Sequence, residues 1–309
     1  MQELQRTLKK TYFFEGKGLH SGQNVKMELK PASVDTGIRF LRKDLGENVY
    51  LPALADYVTH TERGTTLEKD GVKVSTIEHV LATFLGLGVD NAVIELDNFE
   101  APIMDGSALP YVKAICADGL IEQDKPRKYY QIKEEIRVKD EKSGAEVVVM
   151  PSDDFSIDIS VDYNSKVLGV QKAHFDKGTD FAEEIAPCRT FVFFHELAFL
   201  FQHNLIKGGD LENAIVIVEK EVPQEELNRM ADLFNVERIK RLPEGYLDNV
   251  NLRYPDECGR HKLLDVLGDF SLIGLHIKGK VIAEKTGHQL NTRAAKCIRE
   301  IALKEKNSL

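Results

Sequence analysis

Cys258-Gly-Arg-His-Lys-Leu-Leu-Asp-Val-Leu-Gly-Asp269 reads as a helix that carries a chemical row. Leu263, Leu264, Val266 and Leu267 supply its apolar core, and Gly259 stands where a helix entry is expected. Residues four apart share a helix face one turn apart. His261, Asp265 and Asp269 therefore form one polar row. An imidazole and a carboxylate at this spacing can hold one metal ion together, as the two histidines of H-E-x-x-H do. A solvated helix face is the plain alternative, and the pair supplies only two ligands.

Working outward, a second stretch rhymes with the first. Glu78-His79-Val-Leu-Ala-Thr-Phe-Leu-Gly-Leu-Gly88 aligns with Arg260-His261-Lys-Leu-Leu-Asp-Val-Leu-Gly-Asp-Phe270. Each opens a helix on a histidine, runs into a strand and follows several short strands. An internal duplication would produce this pattern. The expected fold is α+β, each half a sheet covered on one face by helices; if the two halves pack helix face to helix face, they make a β-α-α-β sandwich with the site at the interface. The composition turns polar from Gly119 to Lys128, around Pro126, so the boundary is expected there, dividing the chain into 1–126 and 127–309. Ser75 followed by Glu78 has capping-box spacing and predicts a helix start. Further helices are expected over Leu109–Asp118, His195–Asn204 and Val222–Arg241, with a strand at Ala214–Val218.

Composition narrows the class. The chain has 309 residues, 42% hydrophobic and 29% charged, as in soluble globular proteins. No apolar run approaches the roughly 20 residues that span a bilayer. The N-terminal stretch lacks the apolar centre of a signal peptide. Cys116, Cys188, Cys258 and Cys297 show no C-x-x-C spacing, which favours free thiols in the cytoplasm over a disulfide framework. A net charge of −9 argues against a nucleic-acid surface. A few basic residues focused in one cleft could still bind an anionic small molecule.

If the halves meet face to face, His79 joins His261 and Asp265 as a third ligand. That set suits Zn2+ with one coordination position open. The metal would acidify a water to a pKa of about 7 and polarise a carbonyl. Glu78 could then act as general base; its alternative is a carboxylate interacting with the helix dipole beside a packed histidine. His288, between Gly287 and Gln289, is a candidate acid or oxyanion partner, or else a plain loop histidine.

Together these residues carry a resemblance. Glu78-His79, Cys188-Arg189-Thr190-Phe191, Lys207-Gly-Gly209, Arg260-His261-Lys262-x-x-Asp265-x-x-x-Asp269 and Gly287-His288-x-Leu-Asn291 resemble the UDP-3-O-acyl-N-acetylglucosamine deacetylases. Phe14-Glu-Gly-Lys-Gly-Leu-His20-Ser-Gly22 and Pro102-Ile-Met-Asp-Gly-Ser107 add to it, and the motifs run in the family's order from about residue 5 onward. The resemblance implies zinc-dependent hydrolysis of UDP-3-O-(3-hydroxyacyl)-N-acetylglucosamine to the free amine and acetate, the committed step of lipid A biosynthesis. His79, His261 and Asp265 would hold the zinc, and Glu78 would activate the water. His288, helped by Asp269, would serve the amine and the oxyanion, with a hydrogen bond from Thr190. Lys262 would face the diphosphate, with Lys285 nearby and Gly287 beside the substrate. Phe191, Phe193, Phe194, Leu197, Phe199, Leu200 and Ile215 would line an acyl passage built on an inserted strand-helix-strand; ordinary core packing is their alternative.

Three departures stand out. The segment between Ala214 and Arg260 exceeds the family's usual connection, Cys258-Gly259 replaces a Pro-containing form, and Cys188 and Cys258 fall near the site. Some relatives are fused to a hydroxyacyl-carrier-protein dehydratase, which leaves such a covalent partner open beyond residue 309. Two other classes compete: a non-catalytic nucleotide-sugar or acyl binder, which needs neither base nor acid, and a phosphohydrolase, which should show a second metal.

Overall fold

The computed structural model describes residues 3–202, 207–211, 213–249 and 251–307. Among these the helices are α1 (Glu78–Leu87), α2 (Leu109–Cys116), α3 (Phe194–Gln202), α4 (Gln224–Phe234), α5 (Glu257–Ser271) and α6 (His288–Asn307). The first sheet runs Tyr12–Lys17, Asn24–Pro31, Ala92–Leu96, Ile38–Arg42, Tyr50–Pro52 in space. Its central strand, Ala92–Leu96, arrives last, after α1. It lies antiparallel to Asn24–Pro31 and parallel to Ile38–Arg42.

The second sheet repeats the scheme. Its order is Ile136–Asp140, Ala145–Met150, His276–Glu284, Phe155–Asp162, Val170–Phe175, and Tyr129–Gln131 also pairs with His276–Glu284. His276–Glu284 again arrives last, after α5, antiparallel to one neighbour and parallel to the other. Two hairpins flanking a late central strand, with a helix feeding that strand, occur in both halves. The duplication read from the two histidine helices is therefore also a duplication of topology.

Period-two patterning builds the sheets: Val25, Met27 and Leu29 of Asn24–Pro31 turn inward and are buried, while Asn24 and Lys26 face out. The α1 and α5 helices pack on each other between the sheets, which is why most residues of both are buried. One apolar core, including Met27, Ile94, Leu81, Leu264, Val147 and Val281, joins both sheets through these helices. Gly268 permits the close approach: a Cβ there would stand 2.2 Å from the Glu78 carbonyl oxygen.

Several local expectations are corrected. Ser75 does not cap α1; it ends the strand Val72–Ser75, and its N–H donates to the Phe99 carbonyl. The Glu78 carboxylate turns inward to accept the Thr65 N–H at 3.0 Å instead of reaching back to Ser75. Gly259 is not an entry, since α5 already begins at Glu257. The polar run after Gly119 is itself structured: Leu120–Pro126 is a strand antiparallel to Leu4–Leu8. Its backbone is satisfied by pairing, and one open face of the ribbon needs no apolar side chains.

Phe191–Phe193 and Ile215–Ile217 pair in parallel, with α3 between them. Of the helix expected over His195–Asn204, His203 and Asn204 lie outside the described residues. The α4 helix stops at Phe234, short of Arg241, because Asn235 adopts a left-handed φ of 54°. It lays Leu227, Met230 and Ala231 against Leu197, Leu200 and Val216 in a second apolar cluster, which places the long segment before α5 on top of the insert.

Candidate active site

The packing of α1 on α5 decides the site. His79 stands in the first turn of α1, and His261 and Asp265 stand one turn apart on α5. Their ligand atoms all lie within 4.8 Å of one another, and all three residues are buried. The two imidazoles meet edge to face at 5.1 Å. A solvated helix face is excluded.

The protonation pattern suits a cation. His261 Nδ1 lies 2.9 Å from the Cys188 carbonyl oxygen, which can only accept. Nδ1 therefore carries the hydrogen, and Nε2 turns its lone pair toward Asp265 Oδ1 at 3.4 Å. Burial lowers both imidazoles, His79 to about 3, so both are neutral donors. Burial alone would raise the Asp265 carboxyl, but the Lys262 ammonium, 2.8 Å from Oδ2, and the cationic His288 imidazole hold it well below the carboxylate range. Two neutral imidazoles and one ionised carboxylate fit a zinc ion. The ligand atoms that converge come from His79, His261 and Asp265 and not from Cys188 or Cys258, whose thiols burial raises, that of Cys188 to about 12.

Beside the triad, Asp269 is fully buried and fully engaged. Its Oδ1 accepts from Thr65 Oγ1 at 2.6 Å; its Oδ2 accepts from Asn291 Nδ2 and lies against His288 Nδ1, both at 2.9 Å. That orients His288 Nε2 to 3.9 Å from Glu78 and 3.8 Å from Asp265. Burial would lower the His288 imidazole, yet Asp269, Asp265 and Glu78 raise it to about 10. Burial raises the Glu78 carboxyl, opposed by His288. A readily protonated carboxylate and a cationic imidazole thus face one another next to the three converging residues.

Thr65 was not legible as a site residue. It bonds Glu78 through its N–H and Asp269 through its hydroxyl, yet sits in a polar run with no helical or motif spacing to mark it. Asn291 closes the Gly287-His288-x-Leu-Asn291 motif, whose spacing gives it no role of its own. Thr190 is mounted between the halves: its N–H donates to the Gly106 carbonyl, and its carbonyl accepts from the Ile215 N–H, both at 2.8 Å. The Lys207-Gly-Gly209 motif has a backbone reason, since a Cβ on Gly208 would lie 2.0 Å from the Gly18 carbonyl oxygen.

A cavity of about 400 Å³ opens over these groups. Glu78, His79, Thr190, His261, Asp265 and His288 line its polar head, with Lys262 and Gly287. Phe191, Phe193, Leu197, Leu200, Val216 and Phe234 line an apolar arm. Lys262 spans the two, its Nζ 5.4 Å from the Phe191 ring centre. Four expected lining residues lie elsewhere. Ile215 and Val216 face opposite sides of their strand, so Val216 meets the cavity while Ile215 packs with Leu168 and Tyr246. Phe194 is buried in the second cluster, and Phe199 is 53% exposed. Lys285 points outward toward Asp162, 3.8 Å away.

Comparison with known proteins decides the family. The model for LpxC, UDP-3-O-acyl N-acetylglycosamine deacetylase, matches residues 5–239 and 239–300. The chain belongs to the LpxC family.

Within it, the chain is 46% identical over 296 residues to a bifunctional enzyme LpxC/FabZ of Porphyromonas gingivalis, covering 96% of this chain and 64% of that protein. It is 43% identical to the bifunctional enzyme LpxC/FabZ of Bacteroides thetaiotaomicron, over 97% of this chain and 66% of that protein. A UDP-3-O-acyl-N-acetylglucosamine deacetylase of Myxococcus xanthus is 42% identical, over 93% of this chain and 83% of that protein. The LpxC-family chain thus spans just under two thirds of the length of the bifunctional relatives. Among its described residues no helix is long and apolar enough to cross a membrane.

Proposed function

We propose that this chain hydrolyses the acetamide of UDP-3-O-(3-hydroxyacyl)-N-acetylglucosamine, releasing acetate and the free amine, in lipid A biosynthesis. One observation carries the reading. His79, His261 and Asp265 converge within 4.8 Å beside an opposed carboxylate and imidazole, at the head of a cavity with an apolar arm. A pure binder would need no such base and acid.

A zinc ion held by these three residues would supply a Lewis acid for the amide carbonyl and lower the pKa of a coordinated water to about 7. Glu78, its carboxyl raised by burial, takes the proton as the water's oxygen bonds to the carbonyl carbon. His288, cationic through Asp269, steadies the developing oxyanion and gives a proton to the nitrogen as the C–N bond breaks. The Thr190 hydroxyl donates to the same oxyanion. Lys262 presents its ammonium to the diphosphate side, Gly287 leaves room beside the sugar, and Phe191 and Phe193 open the arm to the acyl chain.

The same reading takes 1–126 and 127–309 as the two domains, supported by the repeated topology on either side. It places the reaction in the cytoplasm, consistent with four free thiols. It also allows a covalent dehydratase partner beyond residue 309, in line with the bifunctional names above.

The test is metal content with activity before and after chelation. About one zinc per chain, with activity lost on chelation and restored by added zinc, is expected. Full activity in metal-free protein would sink the reading. Glu78→Gln should keep the metal and lose about 10²–10⁴-fold in kcat.

A further inference from the structure

The α4 helix does more than cover the insert. Leu227, Met230 and Ala231 seat it on α3 and Ile215–Ile217, in an apolar cluster that shares no residue with the core around α1 and α5. Phe234 follows Met230 by one turn on the same face. It lines the cavity that begins at the ligand triad, while its neighbour Leu233 is exposed. Phe234 thus meets the cavity from the second apolar cluster, not from the core that carries α1 and α5.

Two contacts hold the end of the helix that carries it. Asn235, left-handed, bonds the Ala231 and Asp232 carbonyls and ends the helix at this residue. Arg238 folds back on the Asn228 carbonyl and the Asp232 carboxylate, bracing the last turn. An aromatic ring on a capped and braced helix end forms a wall at set depth rather than a swinging side chain.

We propose that Phe234 ends the apolar arm and sets the length of acyl chain that the site accepts. This inference rests on the deacetylase reading. A chain too long for the arm leaves its terminal methylenes unburied or displaces the reacting amide, and a misfit of one methylene is typically worth about 10–200-fold in kcat/KM.

The experiment measures kcat/KM of the zinc-loaded chain on UDP-3-O-acyl-N-acetylglucosamines of rising acyl length. The wild-type profile should fall beyond one length. Phe234→Ala should raise the relative kcat/KM at the first rejected length by about 10-fold or more, and Phe234→Trp should move the fall to shorter chains. Phe234→Leu keeps the apolar contact and should shift the profile as Phe234→Ala does, by less. Leu233→Ser, on the exposed side, should leave it unchanged. A wild-type profile without a length limit, or Phe234 variants with the wild-type profile, overturns this inference alone. Absence of deacetylation at every length overturns the deacetylase reading and this inference with it.

Discussion

His288 Nδ1 lies 2.9 Å from Oδ2 of Asp269, a carboxylate with no exposed side-chain surface. The contact makes Nδ1 the proton-bearing nitrogen, keeps the ring cationic and turns Nε2 toward Glu78 and Asp265. A buried acceptor and an aimed imidazole act here as one unit.

Asp269→Asn should therefore retain metal and fold while kcat falls by about 10²–10⁴-fold. An asparagine amide can donate to Nδ1, which favours the wrong tautomer and removes the charge that holds the proton. Zinc analysis alongside steady-state kinetics checks this. Unchanged kcat would reduce Asp269 to a packing role.

Gly268→Ala probes the seam between the halves. The added Cβ would stand 2.2 Å from the Glu78 carbonyl oxygen, and backbone on both sides leaves little room to yield. Overpacking of this kind costs about 1–3 kcal/mol or more. Urea unfolding should show the loss, and kcat should drop because α1 carries Glu78 and His79. Wild-type stability would mean the helices can slide apart without cost.

Glu257 is buried and accepts from Arg189 Nε at 2.8 Å, from the Arg189 N–H at 3.0 Å and from the Arg253 N–H at 2.6 Å. Arg189 follows Cys188, whose carbonyl orients His261. Glu257→Ala leaves a buried guanidinium uncompensated, a change that costs about 3–5 kcal/mol. It should lower both the unfolding midpoint and zinc affinity in chelator competition. A stability loss with unaltered zinc affinity would separate this pair from the site.

Asp90 ties the halves together through His276 Nε2 at 3.0 Å and Arg127 Nη2 at 2.9 Å. Burial would raise its carboxyl, but His276 and Arg127 outweigh that and hold it below the usual value. A depressed carboxyl pKa contributes stability that is full above the unfolded value of about 3.9 and is lost as pH falls through the folded value. Asp90→Asn should cost about 1–3 kcal/mol at neutral pH. The difference from wild type should start to shrink below about pH 4 and close only below the depressed folded value, where the wild-type carboxylate is protonated as well. Chemical denaturation across pH would read this, and a constant difference at all pH would contradict it.

Local periodicity made much of the molecule legible. The one-turn spacing of His261 and Asp265 on an apolar helix, and its echo at Glu78-His79, announced the duplicated α+β halves and the side chains that meet between them. Helix phase depends only on neighbours in the chain, so such rows can be read residue by residue. Motif order carried the family for the same reason.

Tertiary structure decided the rest. Thr65 reaches Asp269 across 204 residues of chain, a partnership that no local pattern encodes. Which of Ile215 and Val216 meets the cavity turned on strand facing, and a shift of one residue reverses every side chain. The polar run at Leu120–Pro126 became a strand only because Leu4–Leu8 lies beside it. Phe234 reached the apolar arm only because α4 folds back over the insert. Sequence determined which groups were available and on which helix face they stood. Pairing and packing between distant segments determined which of them share a cavity, because those contacts depend on register and docking rather than on neighbours in the chain.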